Sequence, residues 1–179
     1  MNKFQIFVLS PTGQPDSALP MAACRSGALG VLNGEACADT TLLTKGLAEL
    51  AGSVSTPFGM NLGSAVIDGL GPLLDFREKG LEYLIIDDEL SELLASETVR
   101  SFSKRGGRVL LEIRGWRDGL TELEPLLDGW WVKGHEAGGL VGDESAFTLL
   151  QRALAQTDLP LYVRGGVGIH NSAGVSVAG

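Results

Sequence analysis

Val132-Lys-Gly-His-Glu-Ala-Gly-Gly139, followed one helix length later by Val163-Arg-Gly-Gly-Val167, decides how this chain is read. Each stretch begins in an aromatic or β-branched run, Trp130-Trp131-Val132 and Leu161-Tyr162-Val163, and breaks at once into paired glycines. Glycine directly after a strand lets a ligand approach bare backbone and leaves amide N–H groups free to hold an anion. Two such strand ends separated by a helix predict neighbouring mouths of a parallel sheet, where α/β proteins bind phosphorylated ligands.

Working outward, the same alternation of strand and helix fills the chain. Apolar runs at Phe4–Leu9, Leu29–Leu32, Phe58–Asn61, Tyr83–Ile86, Val109–Ile113, Trp130–Lys133 and Leu161–Val163 read as strands. They are continuous rather than alternating, so both faces are covered, as in a parallel sheet. Between them, Asp39 or Thr40 caps a helix carrying Leu43, Leu47, Leu50 and Val54 at helical spacing. Further helices are expected from Leu70 to Lys79, through Leu93, Leu94 and Phe102, and after a cap at Asp143 with Ala146, Leu149, Leu150 and Ala153 on one face. Trp116 to Leu127 is poorly periodic. Seven strand-helix units exceed the usual doubly wound sheet and fall one short of a closed (β/α)₈ barrel. The chain also ends in Ala173-Gly-Val-Ser-Val-Ala-Gly179, small residues that look like mid-helix. The expectation is an α/β (β/α)₈ TIM barrel truncated before its eighth strand, a single domain over residues 1–179 belonging to a longer chain.

Composition narrows the functional classes. With 179 residues, 44% of them hydrophobic, the chain supports one substantial core. Its net charge of -8 is scattered and shows no basic stripe, so a nucleic-acid surface is not expected. No apolar run reaches the roughly 18 residues that span a bilayer, and no signal-peptide layout is present. Cys24 and Cys37 lack metal-ligand spacing and read as buried thiols of a reducing, cytoplasmic protein, with no metal expected.

Gly134-His-Glu-Ala-Gly-Gly139 resembles the Gly-x-Glu-Ala-Gly-Gly motif of the nitronate monooxygenase family. That family includes the flavin-dependent enoyl-acyl-carrier-protein reductases and related barrels of bacterial polyketide and polyunsaturated-fatty-acid synthases. Three more stretches agree in order. Ala28-Leu-Gly-Val-Leu32 is similar to the family's Gly-Leu-Gly-x-Leu second strand, Phe58-Gly-Met-Asn-Leu62 to its Phe-Gly-Val-Asn-Leu third, and Arg164-Gly-Gly-Val-Gly168 to its Gly-Gly-Ile seventh. Lys133 to Gly139, with Gly142 and Glu144 beyond, looks most like the barrels embedded in polyketide synthases.

The resemblance implies FMN at the carboxyl ends of the strands, with NADH or NADPH as reductant and a small-molecule or carrier-bound thioester as substrate. Other synthase domains would be its partners. On this reading Asn61 reads the edge of the isoalloxazine ring, Gly138 and Gly139 let backbone touch the cofactor, and Gly165 and Gly166 offer N–H groups to its phosphate. Lys133 is either a cation at the barrel mouth that stabilises reduced flavin or a snorkelling surface lysine. Arg114 carries the same two readings. His135 is the candidate acid or base, with a structural histidine as the other reading. Glu136 is read as a holder of loop backbone, and His170 as solvent-exposed. One departure bears on activity: where the family has histidine after Glu-Ala-Gly-Gly, this chain has Leu140, which cannot transfer a proton. Three functions therefore stand: an FMN-dependent enoyl-thioester reductase, a silent barrel that docks within a synthase, and a flavin-free phosphate-binding barrel such as an aldolase or isomerase.

Overall fold

The structure, a computed structural model, describes residues 5–63 and 69–178. Its residues cluster into two compact units, Met1–Val109 and Leu110–Gly179.

In the first unit, β1 (Phe7–Leu9), β2 (Leu29–Asn33), β3 (Phe58–Leu62) and β4 (Leu81–Asp87) pair in chain order, every pair parallel. Strands β2 and β3 are buried along their whole length, which is why their sequences lack polar alternation. Helix α1 (Ala18–Arg25) precedes β2 and was not predicted. It is short, and its proline sits in the first turn, where a missing N–H costs nothing. Gly30 lets it approach: a Cβ at Gly30 would lie 2.1 Å from the Pro20 carbonyl oxygen. Helix α2 (Thr40–Ser53) starts at the expected cap, the Asp39 carboxylate accepting from the Thr41 amide at 2.8 Å. That hydrogen bond to the Thr41 amide is the main reason the Asp39 carboxyl is held below its ordinary pKa. Leu43, Leu47 and Leu50 form its buried stripe.

Two expected helices are broken. Leu70 to Lys79 is α3 (Leu70–Leu74) followed by a 3₁₀ turn, Asp75–Lys79, which closes at Gly80 with φ +104°. The stretch through Leu93 and Phe102 is a 3₁₀ segment, Asp88–Ala95, and then α4 (Glu97–Lys104). Ser96 separates them. Its backbone is extended, and its hydroxyl accepts from the Val99 amide, so the residue that ends one helix caps the next.

Strand β5 (Arg108–Ile113) leads into the second unit, where β5, β6 (Gly129–Lys133) and β7 (Leu161–Arg164) pair in order, again parallel. The aperiodic stretch before β6 contains a 3₁₀ segment, Leu120–Leu126, with Pro125 inside it. Helix α5 (Ala146–Leu154) is capped by Ser145, not by Asp143 as expected. The Ser145 hydroxyl accepts from the Thr148 amide at 3.1 Å, and the Glu136 carboxylate takes the Ala146 amide at 2.9 Å. With Glu136 supplied from the preceding loop, the helix begins at Ala146. Helix α6 (Ser172–Ala178) ends the described residues, confirming helix in the small-residue tail. The predicted strands are all present within a few residues of their expected limits; Phe4 lies outside the described residues. Among the described residues no helix is long and apolar enough to cross a membrane.

Candidate functional site

In the first unit the polar residues gather at the carboxyl ends of β1, β2 and β3. Asn33 ends β2 opposite Asn61 in the β2–β3 register. The Ser10 hydroxyl accepts from the Asn33 amide at 2.9 Å, and the Asn33 side-chain NH₂ donates to the Thr12 hydroxyl at 3.3 Å. The Asn33 side-chain oxygen, Oδ1, accepts from the Glu35 amide and, at 3.2 Å, from the side-chain NH₂ of Asn61. Asn61 is 1% exposed, yet among the described residues its own side-chain oxygen has no donor. Buried acceptors are nearly always satisfied, so an orphan at a strand end asks for a ligand N–H. Sequence reasoning found Asn61 and missed Asn33, although Asn33-Gly34 after an apolar run carried the signal. Cys24 and Cys37 are buried free thiols, as expected. A cleft of about 390 Å³ opens at the other end of these strands, against Ile6, Gly27, Leu29, Pro57 and Tyr83, away from the asparagines.

The second unit carries a buried ionic cluster that the sequence reading did not anticipate as a unit. Side chains alternate along a strand, and the register pairs Glu112 with Trp131, Trp131 with Tyr162 and Lys133 with Arg164. These five residues share one face. Trp130 lies on the other, where its indole N–H donates to Thr157 just beyond α5. Lys133 therefore points away from α5. Its ammonium nitrogen lies 3.3 Å from Glu112 Oε1, with side-chain exposures of 0% and 1%. Arg164 Nη1 meets the other oxygen, Oε2, at 2.8 Å, and its Nη2 donates to the Gly138 carbonyl at 3.3 Å. The snorkelling reading of Lys133 is excluded. Below this layer the Trp131 and Tyr162 rings stack at 6.0 Å. Glu112 and Arg164 were missed as site residues, although each is a single charge in an apolar strand run. Arg114 follows β5, half-buried, with its carbonyl packed where a Cβ at Gly142 would sit.

The glycine loops have distinct duties. Gly134 admits the start of α5: its Cβ would lie 2.1 Å from the Ala146 nitrogen and 2.3 Å from the Glu136 carboxylate. Its amide donates to the Arg164 carbonyl at 2.9 Å, tying the two loops together. Gly165, at φ +104°, rests against the Ala137 backbone. Gly166 faces Glu136, and its carbonyl accepts from the Asn171 side-chain NH₂ at 2.6 Å. Close packing thus accounts for part of what was read as a phosphate cradle. Gly138 and Gly139 are exposed, and nothing lies within 4 Å of a Cβ built at Gly138, so that backbone is open to a ligand. His135 and His170 are both exposed. His135 donates its amide to the Glu144 carbonyl at 2.8 Å.

Glu136 holds loop backbone, as its sequence context suggested. Partial burial raises its pKa, but hydrogen bonds from the Ala146 amide and its own amide, together with nearby His135, outweigh that and hold it below the ordinary value of 4.5. A carboxyl with a depressed folded-state pKa contributes stability that is complete above the unfolded value and lost as pH falls through the folded value. We expect the Glu136 carboxyl to titrate below 4.5 by NMR. Glu136→Gln should flatten the loss of stability on the acid side. A Glu136 titration at or above 4.5 would show that the loop is not held this way.

No family model matches this sequence, and no curated protein does. Solved structures do. FabK from Thermotoga maritima is similar over 98% of this chain, with a TM-score of 0.78 at 19% identity, and its M276A mutant over 98% with a TM-score of 0.77 at 19% identity. Nitroalkane oxidase from Streptomyces ansochromogenes is similar over 98%, with a TM-score of 0.73 at 18% identity. This chain spans 55%, 58% and 62% of those three structures. Likeness at this identity speaks to fold, and it covers nearly every residue. The chain has the α/β barrel fold of FabK and nitroalkane oxidase, over part of their length.

Proposed function

We propose that this chain is the FMN-holding part of an oxidoreductase of the nitronate monooxygenase type, acting as an enoyl-thioester reductase within a polyketide or fatty-acid synthase. We further propose that it forms one barrel domain continued by an eighth strand-helix unit in a longer cytoplasmic chain. The observation that carries the flavin reading is the Asn61 side-chain oxygen, buried at a strand end without a donor among the described residues, where a ring N–H of FMN would satisfy it. Within the second unit, the open backbone at Gly138, the exposed Gly139 and the buried cation at Lys133 are what a flavin-binding strand end would offer. When bound, FMN supplies two-electron transfer that oxidises a nicotinamide and reduces the substrate's C=C bond, with a proton added at carbon. The chain's residues orient the cofactor, exclude water through the buried Glu112–Lys133–Arg164 layer, and supply a proton from His135, the imidazole nearest the glycine loop in sequence.

The test is a titration of the protein with FMN. We expect quenched flavin fluorescence and a shifted visible band, and Asn61→Leu should weaken binding roughly tenfold, the value of one hydrogen bond near 1.4 kcal/mol. Unchanged flavin fluorescence at saturating protein would reject the reading. A second reading, a barrel that docks without turnover, is favoured by Leu140, an apolar side chain 55% exposed where the resembled family has histidine. Bound FMN with no oxidation of NADH or NADPH by an enoyl thioester would select it.

A further inference from the structure

Glu112 is a carboxylate set between Leu111 and Ile113 in a strand that is otherwise aliphatic at its centre. A leucine there would fill the same space without the cost of dehydrating a charge. The carboxylate instead binds two cations through separate oxygens, Lys133 at 3.3 Å and Arg164 at 2.8 Å, and holds both at the carboxyl ends of β6 and β7. Resting on the flavin reading above, we propose that Glu112 is a positioning residue that sets the reduction potential of bound FMN through Lys133.

The physics is a balance of charge in a dry layer. Oxidised FMN takes up two electrons and one proton to give a reduced ring bearing a negative charge. A lysine beside the ring favours the reduced form, since charge near the ring is a main lever of a protein on flavin. A carboxylate 3.3 Å from that ammonium offsets part of its field, strongly so where neither group meets water. It also fixes where the ammonium sits. Glu112 thereby holds the potential lower than Lys133 alone would set it. Arg164 shares the same carboxylate and ties it to the glycine loop through the Gly138 carbonyl. A change at Glu112 is therefore transmitted to the backbone proposed to touch the cofactor.

The experiment is a reductive titration of FMN-loaded protein with dithionite and a reference dye. Glu112→Gln should favour reduced over oxidised FMN about tenfold more than the parent does, a rise of about 30 mV for two electrons. Lys133→Met should shift the potential down by a similar amount. Glu112→Asp, which keeps the charge, should stay near the parent, and the double variant E112Q/K133M should return toward it. If Glu112 serves only to hold the fold, E112Q and K133M melt earlier yet titrate at the parent's potential, and that result overturns the proposal while leaving the flavin reading intact. If the parent binds no FMN, the flavin reading fails and this inference with it. Should E112Q not fold, the comparison of K133M with the double variant decides: a lower potential for K133M alone supports the proposal, and equal potentials overturn it.

Discussion

Glu112→Ala lowers the stability of the protein by about 3–5 kcal/mol, because it strands Lys133, and in part Arg164, as buried charges without their carboxylate. This is the largest single effect expected, comparable to the whole stability of a marginal domain. Chemical denaturation of the parent and the variant measures it. The control is a triple replacement, Glu112→Leu with Lys133→Met and Arg164→Leu, which removes every charge of the cluster and should cost far less than the single change. A Glu112→Ala protein within 1 kcal/mol of the parent would mean that the ion pairs are not formed in solution.

Gly134→Ala is expected to cost about 3 kcal/mol, at the upper end for overpacking, since the added methyl meets backbone rather than a side chain that can turn aside. The Ala146 nitrogen and the Glu136 carboxylate both lie within 2.3 Å of the new atom, so the cap of α5 must open for it to fit. Loss of that cap should also expose the first turn of α5 to faster amide exchange, Ala146 foremost. Gly138→Ala, in open space, should leave stability within about 0.5 kcal/mol of the parent. Equal melting of the two variants would contradict the packing described here.

The contrast between those glycines shows what sequence could and could not say. All seven strands were legible because each is a burst of β-branched, aromatic or aliphatic residues ended by glycine, asparagine, a serine–proline turn or a charged residue, and in the central strands burial on both faces enforces that pattern. Helix ends were less legible. Asp143 and Ser145 are both good caps in sequence, and only the arrival of Glu136 from ten residues upstream decides between them. The short helix α1 hides for a related reason: its buried stripe, Pro20, Ala23 and Cys24, is made of small residues fitted closely against Gly30 and lacks the bulky aliphatics that mark a helix in sequence. At the site, Asn61 and Lys133 announce themselves as polar residues closing apolar strands. Glu112 does not, because its role depends on partners 21 and 52 positions away, a pairing set by strand register.

The shared carboxylate of Glu112 has a consequence for how this protein can change. The fully buried Lys133 ammonium leans on the carboxylate, and the carboxylate on at least one of its cations. Neutralising Glu112 alone therefore leads downhill, whereas neutralising one cation leaves the carboxylate its other partner and removing all three charges together lies near the starting stability, so effects at these sites do not add. A library randomised at these three positions should return sets that keep Glu112 with a cation and wholly uncharged sets, with sets that keep Lys133 but lose the carboxylate depleted. The order of loss therefore matters: a path that gives up the carboxylate while Lys133 remains is closed, and one that gives up a single cation first is not.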